Sequence, residues 1–265
     1  MKIDHIQRIA LSGLLLALVI IFTRFLSIQN IPLIPFVRIS LGPALIIFAS
    51  LLLGPLYGGV VGGLSDILGI VLVPNAAGYS INPWFTLVYA LLGVLPWCIY
   101  KLIGFIKNEK ILYISTISFL GALFIFVTVF LLTNNTIVLF SKEYSFELYQ
   151  KIIIIASTFL LGSLTSIGLI FINRYFVKKN SENICKISTY KVAFTSMVSE
   201  LLILLILNSI VKMLFFETDF LVIFFSQSIV FFINIILDTF IATLLLHQSS
   251  KIYKSKESLS HEEEK

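Results

Sequence analysis

A polytopic, all-α membrane protein is the fold class this sequence predicts, on three observations. Only 12% of the 265 residues are charged while 58% are hydrophobic, and a soluble domain of this size carries about 25% charged residues to cover its surface. The mean hydropathy is +1.02. Apolar runs of membrane-crossing length recur along the chain, and about 20 such residues span a ~30 Å hydrocarbon core at 1.5 Å per residue. The runs are continuous rather than alternating, which argues against spanning strands.

Eight apolar segments follow in order: 8–26, 40–53, 57–73, 84–105, 111–133, 152–172, 192–216 and 220–246. The second is short, and Gly54-Pro55 almost fuses it to the third. Pro74 to Pro83 reads as an uncharged, turn-rich loop between the third and fourth segments. From Ser249 the chain is polar and ends in an acidic run, predicting a solvated, mobile cytoplasmic tail over 249–265. Residues 1–8 lead into the first run without a small-residue cleavage site, so that run reads as a retained helix. Lys and Arg gather in alternate connections (Arg8, Lys107, Lys110, Arg174, Lys178, Lys179, Lys191 and Lys251 among them), with few on the other side beyond Arg38, Lys142 and Lys151. That asymmetry predicts cytoplasmic N- and C-termini and outward-facing loops after the first and third helices. It also accounts for the net charge of +5 without nucleic acid.

Several function classes lose support. Cys98 and Cys185 have no partner spacing for a disulfide framework or a metal site. His5, His247 and His261 lie at or near the chain ends, so an intramembrane histidine base or His-ligated metal is not expected. Gly63-Leu64-Ser65-Asp66 is a weak serine-protease match with no histidine to serve it. No GxxxxGK[ST] loop occurs, so energy must come from a partner or an ion gradient. No cofactor and no metal are expected.

Gly58, Gly59, Gly62 and Gly63 form two overlapping GxxxG pairs, read as close helix packing. Gly13 and Ala17 form a second small pair, read either as internal packing or as a docking face for another subunit. Charges in or near the spans are Arg24, Asp66, Lys101, Glu200, Lys212 and Asp238, with Arg38 at the mouth of the second segment. Lys101 and Lys212 are close enough to segment ends to snorkel. The rest are costly in hydrocarbon and need a polar interior, a partner or a ligand. Arg24 and Arg38 either meet an anionic solute through the guanidinium fork or pair and snorkel. Asp66 is expected to cap a helix break before Gly69. Tyr79, Trp84 and Phe85 belong to an interfacial belt or stack on a flat heterocycle. Asn75, Asn82, Asn208, Gln227 and Asn234 suit a ring edge or interhelical hydrogen bonds.

Taken together, residues 9–105 resemble the substrate-binding S components of energy-coupling factor (ECF) transporters, most closely the folate type. The segments that carry the resemblance are Gly13 to Ala17 with Arg24-Phe25-Leu26, and Arg38-Ile39-Ser40-Leu41-Gly42-Pro43. They continue with the glycine-rich stretch from Leu53 through Asp66 to Gly69, then Pro83-Trp84-Phe85-Thr86-Leu87. Residues 190–246 look like the last two family helices, with a polar break at Leu207 to Ile210. The resemblance implies a six-helix bundle with two additional inserted helices. Helices one to four occupy 1–105, the insertion 106–190, and the last two helices 191–248. It implies a high-affinity vitamin-binding subunit in a bacterial cell membrane, without its own ATPase. Such a subunit docks through Gly13 and Ala17 on a membrane coupling protein that carries two cytoplasmic ATPases. Folate suits the residues: a pterin for Tyr79, Trp84 or Phe85, and a glutamate tail for Arg24 or Arg38, with Asn75, Asn208 and Gln227 as polar contacts. The alternatives are another vitamin or heterocycle on the same machinery (pantothenate, a queuosine precursor), or an ion-coupled secondary carrier. A carrier would want matching helix breaks in two halves, and Gly54-Pro55 has no counterpart. A lipid-acting enzyme would have to draw on Asp66, Glu200 and Asp238, which share no motif.

Overall fold

The computed structural model describes residues 4–31, 34–73, 82–139, 142–179 and 188–263. The helices are α1 (His5–Arg24), α2 (Gly42–Leu53), α3 (Pro55–Leu72), α4 (Pro83–Leu102), α5 (Glu109–Thr133) and α6 (Leu148–Lys179). A rod of α7 (Thr189–Glu200), a π-helical stretch (Leu201–Leu207) and α8 (Asn208–Phe216) follows, then α9 (Phe220–Glu263). Among the described residues seven helical segments are long and apolar enough to cross a membrane, and the chain is a multi-pass membrane protein. The short α2 is almost wholly buried inside the bundle. Gly42 abuts Thr23 at the end of α1, and Leu53 shares a cleft with Arg8 near its start, so α2 runs back alongside α1.

The segments alternate direction. His5 meets Tyr57, Phe176 stacks on His247 at 4.7 Å, and Lys191 donates to the Gly104 carbonyl, gathering both chain ends and the α2–α3, α4–α5 and α6–α7 connections at one end. At the opposite end Phe85 meets Phe215, and Phe130 stacks on Phe225. His247, which the sequence places near the chain end, is buried within α9 rather than free of the bundle.

Local chemistry explains the joints. Gly54 takes φ +101°, a left-handed value open to glycine, and Pro55 starts α3 at a position that needs no N–H. Asn82 caps α4 by accepting from the Trp84 N–H at 3.0 Å. Pro96 lies inside the continuous α4, and the Trp97 N–H beside it donates to Ser50 Oγ of α2 at 3.2 Å. The α3–α4 seam is glycine on backbone: a Cβ at Gly58 would strike the Gly93 carbonyl, and one at Gly62 the Tyr89 carbonyl. Gly59 and Gly63 sit against Val94 and Ala90 on the same seam.

The α1–α2 and α5–α6 connections are antiparallel hairpins, β1 (Ile28–Ile31) with β2 (Ile34–Ile39) and β3 (Thr136–Leu139) with β4 (Lys142–Ser145). Their Ile, Val, Phe and Tyr residues favour extended backbone once two short strands pair. Beyond His247, α9 continues as helix to Glu263 through a stretch without Gly or Pro. One expectation needs correction: Asp66 caps no break, since α3 is continuous through Gly69.

Candidate ligand-binding site

A cavity among buried polar side chains lies in the half of the bundle opposite the chain termini. It is lined by the last residue of α1 (Arg24), Ser40 and Pro43 at the start of α2, and Asp66 and Ile70 late in α3. Phe85 and Tyr89 of the first turns of α4, five residues between Glu200 and Lys212, and Gln227, Val230, Phe231 and Asn234 of α9 complete it. It encloses about 110 Å³. No lining residue comes from α5 or α6.

Its charges are held from several helices. Arg24 Nη2 contacts Asp66 Oδ1 and the Asp66 carbonyl, both at 3.3 Å, and Thr86 donates to Asp66 Oδ2 at 3.0 Å. Gly69 leaves the room the guanidinium occupies. Asp66 thus ties α1, α3 and α4 together at the cavity wall. Lys212, expected to snorkel, is buried and lines the cavity instead, because its face of α8 turns into the bundle. Asn208 Nδ2 reaches Gln227 Oε1 at 3.5 Å across the α8–α9 gap. The π-helical stretch ends there, its Asn208 N–H bonded to Ile203 O five residues back. Such widened turns re-aim side chains and concentrate at functional sites. Here the stretch leads from Glu200 to Asn208, both on the cavity.

Of the residues singled out from sequence, Arg24, Phe85, Asn208 and Gln227 come together on this cavity. Trp84 is 57% exposed on the outer surface and does not line it. Asn75 and Tyr79 lie outside the described residues. Arg38 pairs with Gln29 in the β1–β2 hairpin, and its side chain also lies outside them. Asn234, read from sequence as suited to a ring edge or an interhelical hydrogen bond, also lines the cavity, as does Glu200, read only as a charge that needs a polar interior, a partner or a ligand. Gly13 and Ala17 are exposed on α1, with nothing within 4 Å of a Cβ built at Gly13. Lys101 lies over the Trp97 ring at 4.8 Å.

With this geometry in place, comparison with known proteins decides the family. The model of the ECF-type riboflavin transporter S component matches residues 3–175. The chain belongs to this family. This S component is also 36% identical over 123 residues to the protein named Folate transporter FolT of Clostridium novyi (strain NT), covering 46% of this chain. The match spans 62% of that relative's length, less than two thirds. No solved structure matches the S component.

Proposed function

We propose that this S component captures a vitamin, folate, and delivers it to an ECF-type importer in a bacterial cell membrane. The observation that carries the reading is the cavity itself: buried charged and amide side chains, an aromatic wall and convergence of six helical segments, in the half opposite the lysine-rich end. The basic residues Arg8, Lys107, Lys110, Arg174, Lys191 and Lys251 cluster at the end that holds the termini, which by the positive-inside rule is cytoplasmic and turns the cavity outward. Folate is favoured by the named relative and by the pairing of aromatic walls with cations in one cavity. The family description supports a flavin as the second reading.

In the folate reading Phe85 and Tyr89 flank the ring, Asn208 and Gln227 meet polar edges, and Arg24 and Lys212 attract the anionic tail. Trp84 stands beside Phe85 at the rim. The enclosed 110 Å³ is below the about 300 Å³ at which ligand pockets begin, so capture includes an opening of the cavity. The six-helix unit that binds is α1–α4 with the α7–α8 rod and α9. The helices α5 and α6 are an addition packed outside α7 and α9, although the family match runs through them. The open stripe of Gly13 and Ala17, with the exposed Leu14 and Ile21, is the docking face for the coupling protein and its two ATPases.

The test is uptake of labelled folate by cells that express this chain. Deleting the host's coupling ATPases is expected to abolish uptake while isolated membranes keep their folate binding. Accumulation by the chain alone in liposomes under an ion gradient would assign it to secondary carriers instead.

A further inference from the structure

The inner wall of the cavity carries more hydrogen-bond acceptors than the protein satisfies. Glu200 is fully buried and lines the cavity, and among the described residues neither of its carboxyl oxygens accepts from an N–H or an alcohol hydroxyl. The group against it is the carboxyl of Asp238, also fully buried, which faces it from α9. One turn earlier on α9, Asn234 presents to the same space a buried Oδ1 that has no partner among the described residues. Gln227 adds a buried Nε2 donor with no acceptor among them. Buried polar atoms in native proteins are satisfied, and the exceptions call for an explanation. Ionisable groups inside a membrane are costly and usually functional. A ligand in the cavity would supply partners to the atoms that face it.

The atom types define its chemistry. A carboxylate offers two coplanar acceptors, and its complement is a planar edge with two adjacent N–H donors, as in an amidine or guanidine. A 2-amino-4-oxo heterocycle has that edge in its N3–H and 2-amino group, and its 4-oxo group is an acceptor matched to a donor such as Gln227 Nε2. A 2,4-dioxo ring, including the flavin ring, presents acceptor, donor, acceptor along the same edge and sets a carbonyl oxygen against the carboxylate. We propose that Glu200, backed by Asp238, is the specificity-determining group of this site and selects a 2-amino-4-oxo heterocycle over a 2,4-dioxo one. The proposal rests on reading the cavity as the vitamin site, and it chooses between the two substrates that the comparisons suggest.

Pterin and lumazine differ only in carrying an amino or an oxo group at C2, so they isolate this contact. Equilibrium binding to the purified full chain in detergent is measured for folate, pterin, lumazine and riboflavin, in wild type and Glu200→Gln. Wild type is expected to prefer pterin over lumazine by about 100-fold or more, since a site built to bond a polar group rejects the analogue that leaves its own groups unpaired. The amide of Glu200→Gln offers one acceptor and one donor, the pattern lumazine matches, so the preference should collapse to within about 3-fold or reverse. Thermal unfolding without ligand shows whether the variant is folded. Its midpoint should stay near that of wild type, because the amide can still donate to the Asp238 carboxyl that faces it. If the variant does not fold, the wild-type pterin-to-lumazine ratio still decides. Equal binding of pterin and lumazine by wild type, or undiminished pterin selectivity in folded Glu200→Gln, would overturn the proposal. Binding of riboflavin alone would overturn it while leaving vitamin capture intact. Binding of none of the four by folded protein would remove the vitamin-site reading and this proposal with it.

Discussion

Asp66→Ala is expected to destabilise the protein by about 3–5 kcal/mol, the cost of leaving a buried cation without its counter-charge. The Arg24 and Asp66 side chains are only 4% and 7% exposed, so water cannot take over the lost partner. The same substitution removes the α3 acceptor of Thr86, leaving that hydroxyl only the Asn82 carbonyl of its own turn. Thermal unfolding in detergent reads the effect as a large fall in midpoint. Asp66→Asn should be intermediate, since an amide oxygen can still accept from Thr86 but no longer neutralises Arg24. The double variant Arg24→Met with Asp66→Leu should recover much of the stability, because replacing a buried ion pair by apolar groups of similar size is often neutral. If the double variant regains stability but not folate binding, the pair also serves the ligand; if it regains both, the pair only holds the wall.

Lys212→Met separates the two ends of the proposed ligand. The lysine lies one turn before the end of α8 and Glu200 lies about three turns deeper on the same rod, so an acid end and an ammonium end face one cavity. Methionine keeps much of the apolar stem and removes the charge. Truncating one partner of a buried charge pair costs about 2 kcal/mol or more, which is at least ~30-fold in affinity for folate. Pterin, which has no glutamate tail, should bind both proteins alike. Equal weakening for the two compounds would mean that Lys212 shapes the cavity rather than meeting the tail.

Much of this was legible in the sequence because of how membranes constrain chains. Every spanning segment must satisfy its own backbone in hydrocarbon, so each appears as an uninterrupted apolar run, and all eight runs correspond to helical segments. The glycines of α3 were readable for a similar reason, since backbone contact at Gly58 and Gly62 leaves no room for a side chain. The hairpins were hidden because strands of four to six residues leave no long period. Lys212 misled because distance from a helix end suggests snorkelling, while the direction its face points is set by packing with α9. Arg24 and Asp66 were each visible as costly charges, yet nothing local shows that they pair across two helices. Glu200 and Asp238 stand on different helices, and only the packing of α7 on α9 sets Asp238 behind the glutamate that lines the cavity.

The most direct test of vitamin capture is a titration of labelled folate into the purified chain, alone in detergent, without coupling protein or ATP. Saturable one-to-one binding, displaced by unlabelled folate and weakened by Lys212→Met, is the expected result. A folded sample that binds no folate under these conditions would contradict the account of this S component as a folate-capturing subunit.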